Sequence, residues 1–218
     1  VKIGKPETAR VFSRLRSIMD ENRERLIRLD AELGDGDLGI TMAKAFTAVE
    51  TLSDEISGKA ADPGRMFALA GTEIARSAPS TMGTLLASAF MTAGKKVAGR
   101  ESLDGADLAD FIAALAEGIA GLGAARRGDK TILDVLYPAA EAAAGAARQL
   151  PGDLRGVIAA ALAAAEKGLE DSKAFMAVHG RPGIFREKTI GLTDPGGATG
   201  VLILQAFQDV IRGISSEE

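Results

Sequence analysis

Asp30, Asp35 and Asp37 fall within one short stretch, Leu29-Asp30-Ala31-Glu32-Leu33-Gly34-Asp35-Gly36-Asp37-Leu38-Gly39-Ile40-Thr41, interleaved with three glycines. Carboxylates gathered on one turn repel one another unless a cation neutralises them. Hard oxygen ligands with room left for water suit Mg²⁺, which commonly pairs one or two carboxylates with phosphate oxygens. The stretch therefore reads as a metal and phosphate site. Its bland alternative is a helix-loop-helix turn, with glycines supplying φ > 0 and an aspartate as N-cap. One aspartate is enough for that turn, and three are present.

Two literal motif matches fail on context. Gly34 to Gly39 spells G-x-G-x-x-G, which in a dinucleotide-binding unit follows a buried strand. Upstream, however, Val11, Leu15, Ile18, Asn22, Leu26 and Leu29 follow helical spacing, and Arg14, Arg16, Arg23, Arg25 and Arg28 interrupt any strand-like run. An EF-hand loop needs a bidentate Glu at its twelfth position. Counted from Asp35 that position is Phe46, and from Asp30 it is Thr41.

Other stretches offer open backbone or charge. Asp194-Pro195-Gly196-Gly197-Ala198-Thr199-Gly200 places an N-cap Asp and a Pro ahead of small residues, so a phosphate or ring can approach free N–H groups. The preceding loop carries Arg181, Arg186 and Lys188 for anion recognition; a plain helix cap is the alternative. Ser77-Ala78-Pro79-Ser80-Thr81-Met82-Gly83-Thr84 repeats the design and by itself is more often a cap. Gly123 to Thr131 nearly spells a P-loop, but Asp129 precedes the Lys and no strand leads in, leaving either a loop beside a ligand or a basic helix connection. His179 has no companion for a triad or metal cluster and reads as a loop residue.

Composition narrows the chemistry. Without cysteine, and with His179 the sole histidine, thiolate and multi-histidine metal sites are excluded, and hard-metal chemistry remains. A net charge of -4 gives no reason to expect nucleic acid. The most apolar run, Thr81 to Gly94, is shorter than the ~20 residues of a membrane helix and reads as a buried helix. The expectation is a soluble, cytoplasmic protein with no membrane partner, folded as a single domain over residues 1–218.

Helical periodicity positions these motifs. Helices are expected over about Pro6–Asp30, Gly39–Ser53, Pro63–Arg76 behind the N-cap Asp62, Thr81–Val97, a fifth begun by Asp104 or Asp107 and ending at Gly121, Thr131–Gln149 with Pro138 inside it, a seventh opened by Asp153, and an eighth after Asp194. A polar linker is expected through Gly58, irregular chain over about Val178 to Thr193, and fraying over Ser215 to Glu218. The fourth helix, being most apolar, is expected at the centre. No stretch alternates as a strand would, and Ala is abundant, so the fold class is all-α, with eight antiparallel helices in an up-and-down bundle or barrel.

Taken together, the acidic turn, Gly128-Asp129-Lys130-Thr131, Gly180-Arg181 and Asp194-Pro195-Gly196 make the chain resemble the nucleotide-binding L subunit of dihydroxyacetone kinases, the Dak2-domain family, in register over nearly its whole length. The resemblance implies an eight-helix barrel holding ADP or ATP at one end, with two Mg²⁺ ions between carboxylates and phosphates. By position it implies Asp30, Asp35 and Asp37 as magnesium ligands. Leu38, Gly39, Ile40 and Thr41 would form the helix start that meets the phosphates, with Arg181 as a further contact. Asp194, Pro195 and Gly196 would be another lip of the site, and Gly123 and Ile132 would lie around the adenine. Ser77 and Ala78 fall where the family often has Gly-Gly-x-Ser-Gly, from which Arg76, Ala78 and Pro79 depart, and Leu38 stands where some members have His. The ketose is then implied to be held by a separate K subunit, covalently on a histidine of that subunit, which His179 does not match. No catalytic nucleophile is expected from this chain, since phosphoryl transfer depends on positioning and charge neutralisation. A phosphotransferase protein is a possible phosphate donor. The rival reading is a non-catalytic nucleotide sensor that docks on a transcription regulator.

Overall fold

The computed structural model describes residues 1–214, so the fraying expected over 215–218 lies outside the described residues. Ten α-helices are described: α1 (Lys5–Glu21), α2 (Arg23–Ala31), α3 (Leu38–Thr51), α4 (Ser53–Lys59), α5 (Pro63–Ser77), α6 (Thr81–Lys96), α7 (Gly105–Ala120), α8 (Leu133–Gln149), α9 (Leu154–Asp171) and α10 (Pro195–Arg212). Between α9 and α10 lie three short 3₁₀ turns, Ser172–Ala174, Pro182–Ile184 and Arg186–Thr189. Among the described residues the only strand-like pairing is a bridge between Ile3 and Leu103. No helix among them is long and apolar enough to cross a membrane.

Two of the ten are additions to the expected eight. The first expected helix breaks at Asn22, whose side-chain amide donates to the Ile18 carbonyl at 2.9 Å and so competes with the helical ladder. The expected linker contains α4, which buries only Ile56 and carries a Glu55–Lys59 pair. With one buried side chain it leaves no apolar stripe to read. The remaining eight, α1, α3, α5, α6, α7, α8, α9 and α10, each pack on the next in that order, and α10 packs back on α1. The eight-helix barrel is the closure of this ring.

Six phenylalanines fill its interior, one each from α1, α3, α5, α6, α7 and α10. Phe67 touches Phe12, Phe90, Phe111 and Phe207, with ring centroids 4.6 Å apart for Phe67 and Phe111. Phe46 is linked through Phe90. Neighbouring staves approach backbone to backbone where residues are small: a Cβ on Gly94 would stand 2.4 Å from the Ala68 amide nitrogen. The expectation that α6 is central is corrected. It is one stave of the ring, burying seven of its sixteen residues, whereas α10 buries twelve of eighteen. Closure surrounds α10 with α1, α8 and α9 and the short α2, so α10 buries the larger share of its residues.

Successive staves joined by short connections run antiparallel. The connections 32–37, 78–80, 121–132 and 172–194 are alternate ones in the ring and so share one end. Every motif singled out from the sequence lies on them or on the helix turns that flank them.

Candidate metal and nucleotide site

The acidic turn links α2 to α3. Gly34 donates its N–H to the Asp30 carbonyl at 2.6 Å, and a Cβ there would stand 2.4 Å from Asp30 Oδ1. Gly36 has φ +72°, a left-handed conformation for which glycine carries no steric penalty. Gly39 brings the start of α3 against the start of α2; its Cβ would fall 2.2 Å from the Arg23 carbonyl oxygen. Asp37 occupies the N-cap position of α3, yet its carboxylate caps nothing. Asp30 does that instead: its Oδ2 accepts the N–H of Asp37 at 3.0 Å and of Leu38 at 3.2 Å. The plain-cap alternative is therefore met by Asp30, and Asp35 and Asp37 are surplus to it. One oxygen from each of the three carboxylates lies within 4.8 Å of the others. Burial, then the charges of Asp35 and Asp30, push the Asp37 carboxyl above the usual carboxylate range, partly offset by Arg181. Arg181 reaches in from the α9–α10 connection, its Nη1 2.9 Å from Asp35 Oδ2. The N–H groups of Gly39 and Ile40 have no partner among the described residues, as the first turn of a helix leaves them.

The α7–α8 and α9–α10 connections are tied together beside this turn. Asp134, 3% exposed, folds back so that its carboxylate accepts the N–H of Gly128 at 2.5 Å and of Thr131 at 2.8 Å. That turn holds Lys130 in a left-handed conformation, φ +59°, with its side chain buried. Lys130 Nζ donates to the carbonyls of Ser172 at 2.9 Å and Lys173 at 3.3 Å, satisfying acceptors at the end of α9. Burial lowers its pKa, opposed by Asp194 and Asp134. His179 Nε2 lies 2.8 Å from Asp129 Oδ2, and the Val178 N–H donates to the Asp129 carbonyl, so the segment leading to Arg181 is clipped to the α7–α8 connection. Asp194 caps α10 by accepting the Gly197 N–H. Crowding by protein pushes its carboxyl up to about 7, against the Gly197 amide and Lys130, which lower it. Asp30, Lys130, Asp194 and Pro195 line one crevice of about 20 Å³, room for a single water.

A model of the DAK2 domain matches residues 32–209 of this chain. The chain belongs to the DAK2 domain family. It is 30% identical to the ADP-binding subunit DhaL of PEP-dependent dihydroxyacetone kinase 1 from Listeria innocua, over 87% of this chain and 88% of that one. It is 28% identical to the ADP-binding subunit DhaL of PEP-dependent dihydroxyacetone kinase from Escherichia coli, over 94% and 96% of the two chains. Its fold is that of part of the dihydroxyacetone kinase of C. freundii, solved in complex with AMP-PNP and Mg²⁺: TM-score 0.65 at 24% identity, over 93% of this chain and 34% of that longer one.

In this DAK2 domain the structure brings together most of the residues the sequence singles out. Asp30, Asp35, Asp37, the Leu38–Thr41 turn and Arg181 meet directly, and Asp194 and Pro195 share the crevice with Asp30. Gly196 sits behind Met82 and Ile132. Others lie differently. Ile132 is 2% exposed, its side chain wedged against Gly200, so it props the start of α10. Ala78 is 3% exposed, its carbonyl pressed on Gly83, and the Ser77 hydroxyl donates to the Glu73 carbonyl. Gly123 stands exposed on the α7–α8 connection with no packing contact to the acidic turn. Sequence reasoning missed the roles of Lys130 and Asp134. Thr131-x-x-Asp134 was the available signal, a hydroxyl followed three residues later by an acid at a helix start.

Proposed function

We propose that this DAK2 domain is the nucleotide-binding subunit of a ketose kinase of the dihydroxyacetone type, taking ADP or ATP with two Mg²⁺ ions at the acidic end of the barrel. The observation that carries the reading is the convergence of Asp30, Asp35 and Asp37 within 4.8 Å beside the start of α3. Bound there, Mg²⁺ would neutralise phosphate charge as the phosphoryl group leaves. The chain's own parts are then positioning ones. Asp30 fixes the α3 start through two N–H bonds while presenting its carboxylate, Asp35 and Asp37 supply acceptors committed to no cap, and the open Gly39 and Ile40 amides face a growing negative charge with the helix dipole behind them. Arg181 stands ready to exchange Asp35 for phosphate. Nothing in this set holds a ketose, so the acceptor belongs to a K-type partner subunit. Exposed apolar side chains at this end, Ile40, Leu122, Val178, Ile184, Phe185 and Ile190, fit a face that docks a protein. The PEP-dependent relatives favour a retained ADP that a phosphotransferase protein recharges.

Mixing the chain with a K-type subunit, Mg²⁺, dihydroxyacetone and a phosphate donor is expected to give the ketose phosphate, and either subunit alone none. Turnover by the pure chain would overturn the two-subunit reading. Binding of Mg²⁺-ADP without transfer by any K-type partner would mark a nucleotide sensor instead. Arg181→Ala is expected to weaken ADP binding about tenfold or more, the loss of a charge-assisted hydrogen bond. Its melting temperature should barely change, because an exposed ion pair contributes only about 0–1 kcal/mol and the Arg181 side chain is 63% exposed. Calorimetry showing unchanged ADP affinity would remove Arg181 from the site.

A further inference from the structure

An open groove of about 740 Å³ runs down the outer face of α3, with Asp20 and Arg23 on one wall and Arg76 and Ser77 on the other. Ile40, in the first turn of α3, and Lys44 line its floor. Arg23 and Lys44 have no ion-pair partner among the described residues, and Asp20 is the acid set against three cations along the groove. Arg76 is held differently from the other two. Its Nε and Nη2 donate to the two carboxylate oxygens of Glu73 at 2.8 and 2.7 Å. The Glu73 side chain is 8% exposed and that of Arg76 71%. An apolar residue could fill the place of Glu73 without the desolvation cost of a buried carboxylate. What the pair achieves is an arginine held in one orientation on the groove wall, its Nη1 edge without a hydrogen-bond partner among the described residues.

We propose that Arg76 is a phosphate contact of this domain: its free edge takes the outermost phosphate of a nucleoside triphosphate whose inner phosphates lie at the start of α3. The inference rests on the nucleotide reading above and adds a residue to it. The neighbouring groups that small, open residues would offer are spent, since the Ser77 hydroxyl donates to Glu73 and Ala78 is buried. A guanidinium can supply from the side chain the donors that backbone amides do not supply there. Ile40 and Arg76 line one groove, so a phosphate chain that starts at the open Gly39 and Ile40 amides has Arg76 on the wall of the groove it enters.

Calorimetric titrations of the parent, Arg76→Gln and Glu73→Gln/Arg76→Gln with Mg²⁺-AMP-PNP, Mg²⁺-ADP and inorganic tripolyphosphate test this. The double variant leaves no unpaired buried carboxylate, so it remains informative if the single one folds poorly. Both are expected to lose about tenfold or more in affinity for AMP-PNP and tripolyphosphate, and to stay within about threefold of the parent for ADP. Glu73→Gln alone should give a smaller loss for AMP-PNP, lowering the AMP-PNP to ADP affinity ratio in the same direction, whereas a merely structural pair would lower the melting temperature and leave that ratio unchanged. Unchanged affinities, or equal losses for AMP-PNP and ADP, would overturn the proposal. A parent that binds tripolyphosphate through Arg76 but no nucleotide would sink the nucleotide reading while the phosphate contact stands; a parent that binds neither would end both.

Discussion

Asp37→Asn is expected to leave the metal-free protein as stable as the parent or slightly more stable, and to reverse that order once Mg²⁺ and ADP are added. The Asp37 carboxyl is raised above its ordinary value by burial and by the charges of Asp35 and Asp30, so its ionised form is disfavoured by folding. For a carboxyl with a raised folded value, the destabilisation is present at neutral pH and fades as pH falls through the carboxylate range, where the proton is bound in both states. The advantage of Asn should therefore be largest near neutrality and vanish in acid. No helix cap is lost, because Asp37 makes none and Asp30 holds the α3 start. A ligand that binds only the folded state stabilises it by about 2.7 kcal/mol at a hundredfold excess over Kd, and the variant should forfeit most of that. Thermal melts of both proteins, with and without Mg²⁺-ADP, give the comparison directly. Equal destabilisation under both conditions would make Asp37 an ordinary structural residue and remove it from the metal site.

Gly39→Ala should be costly in both conditions. The added Cβ would lie 2.2 Å from the Arg23 carbonyl oxygen and 2.9 Å from Ile27 Cγ1, and the first of these neighbours is backbone that cannot swing aside. The start of α3 must then lift away from α2, stretching the Asp30 bonds to Asp37 and Leu38 that set the spacing of the three carboxylates. Overpacking of this kind costs about 1–3 kcal/mol, and Mg²⁺-dependent ADP binding should fall with it. Gly58→Ala is the matched control. It lies within α4 with nothing within 4 Å of a new Cβ, so the same change should be neutral or stabilising by about 0.5–1 kcal/mol. A Gly39→Ala protein that melts with the parent and binds Mg²⁺-ADP equally well would show that the α2–α3 contact is not what spaces the acids.

The sequence by itself determined whatever depends on a few neighbouring residues. Asp62, Ser80, Asp104, Asp153 and Asp194 each accept a backbone N–H two or three residues ahead, so the starts of α5, α6, α7, α9 and α10 were written locally. The 3.6-residue apolar period marked the ring helices, and the crowding of Asp30, Asp35 and Asp37 marked the acidic turn. Tertiary structure alone decided the rest. Asp37 sits where an N-cap belongs, but Asp30, brought round by Gly34 and Gly36, takes that role. Ile132 lies on a candidate loop, but ring closure buries it beneath α10. The pairs Arg181 with Asp35 and Lys130 with the Ser172 carbonyl join residues that no spacing rule relates. A hydrogen bond to the next helical turn is fixed by backbone geometry that travels with the sequence, whereas a contact between alternate connections exists only once eight staves have closed in order and set those connections at one end.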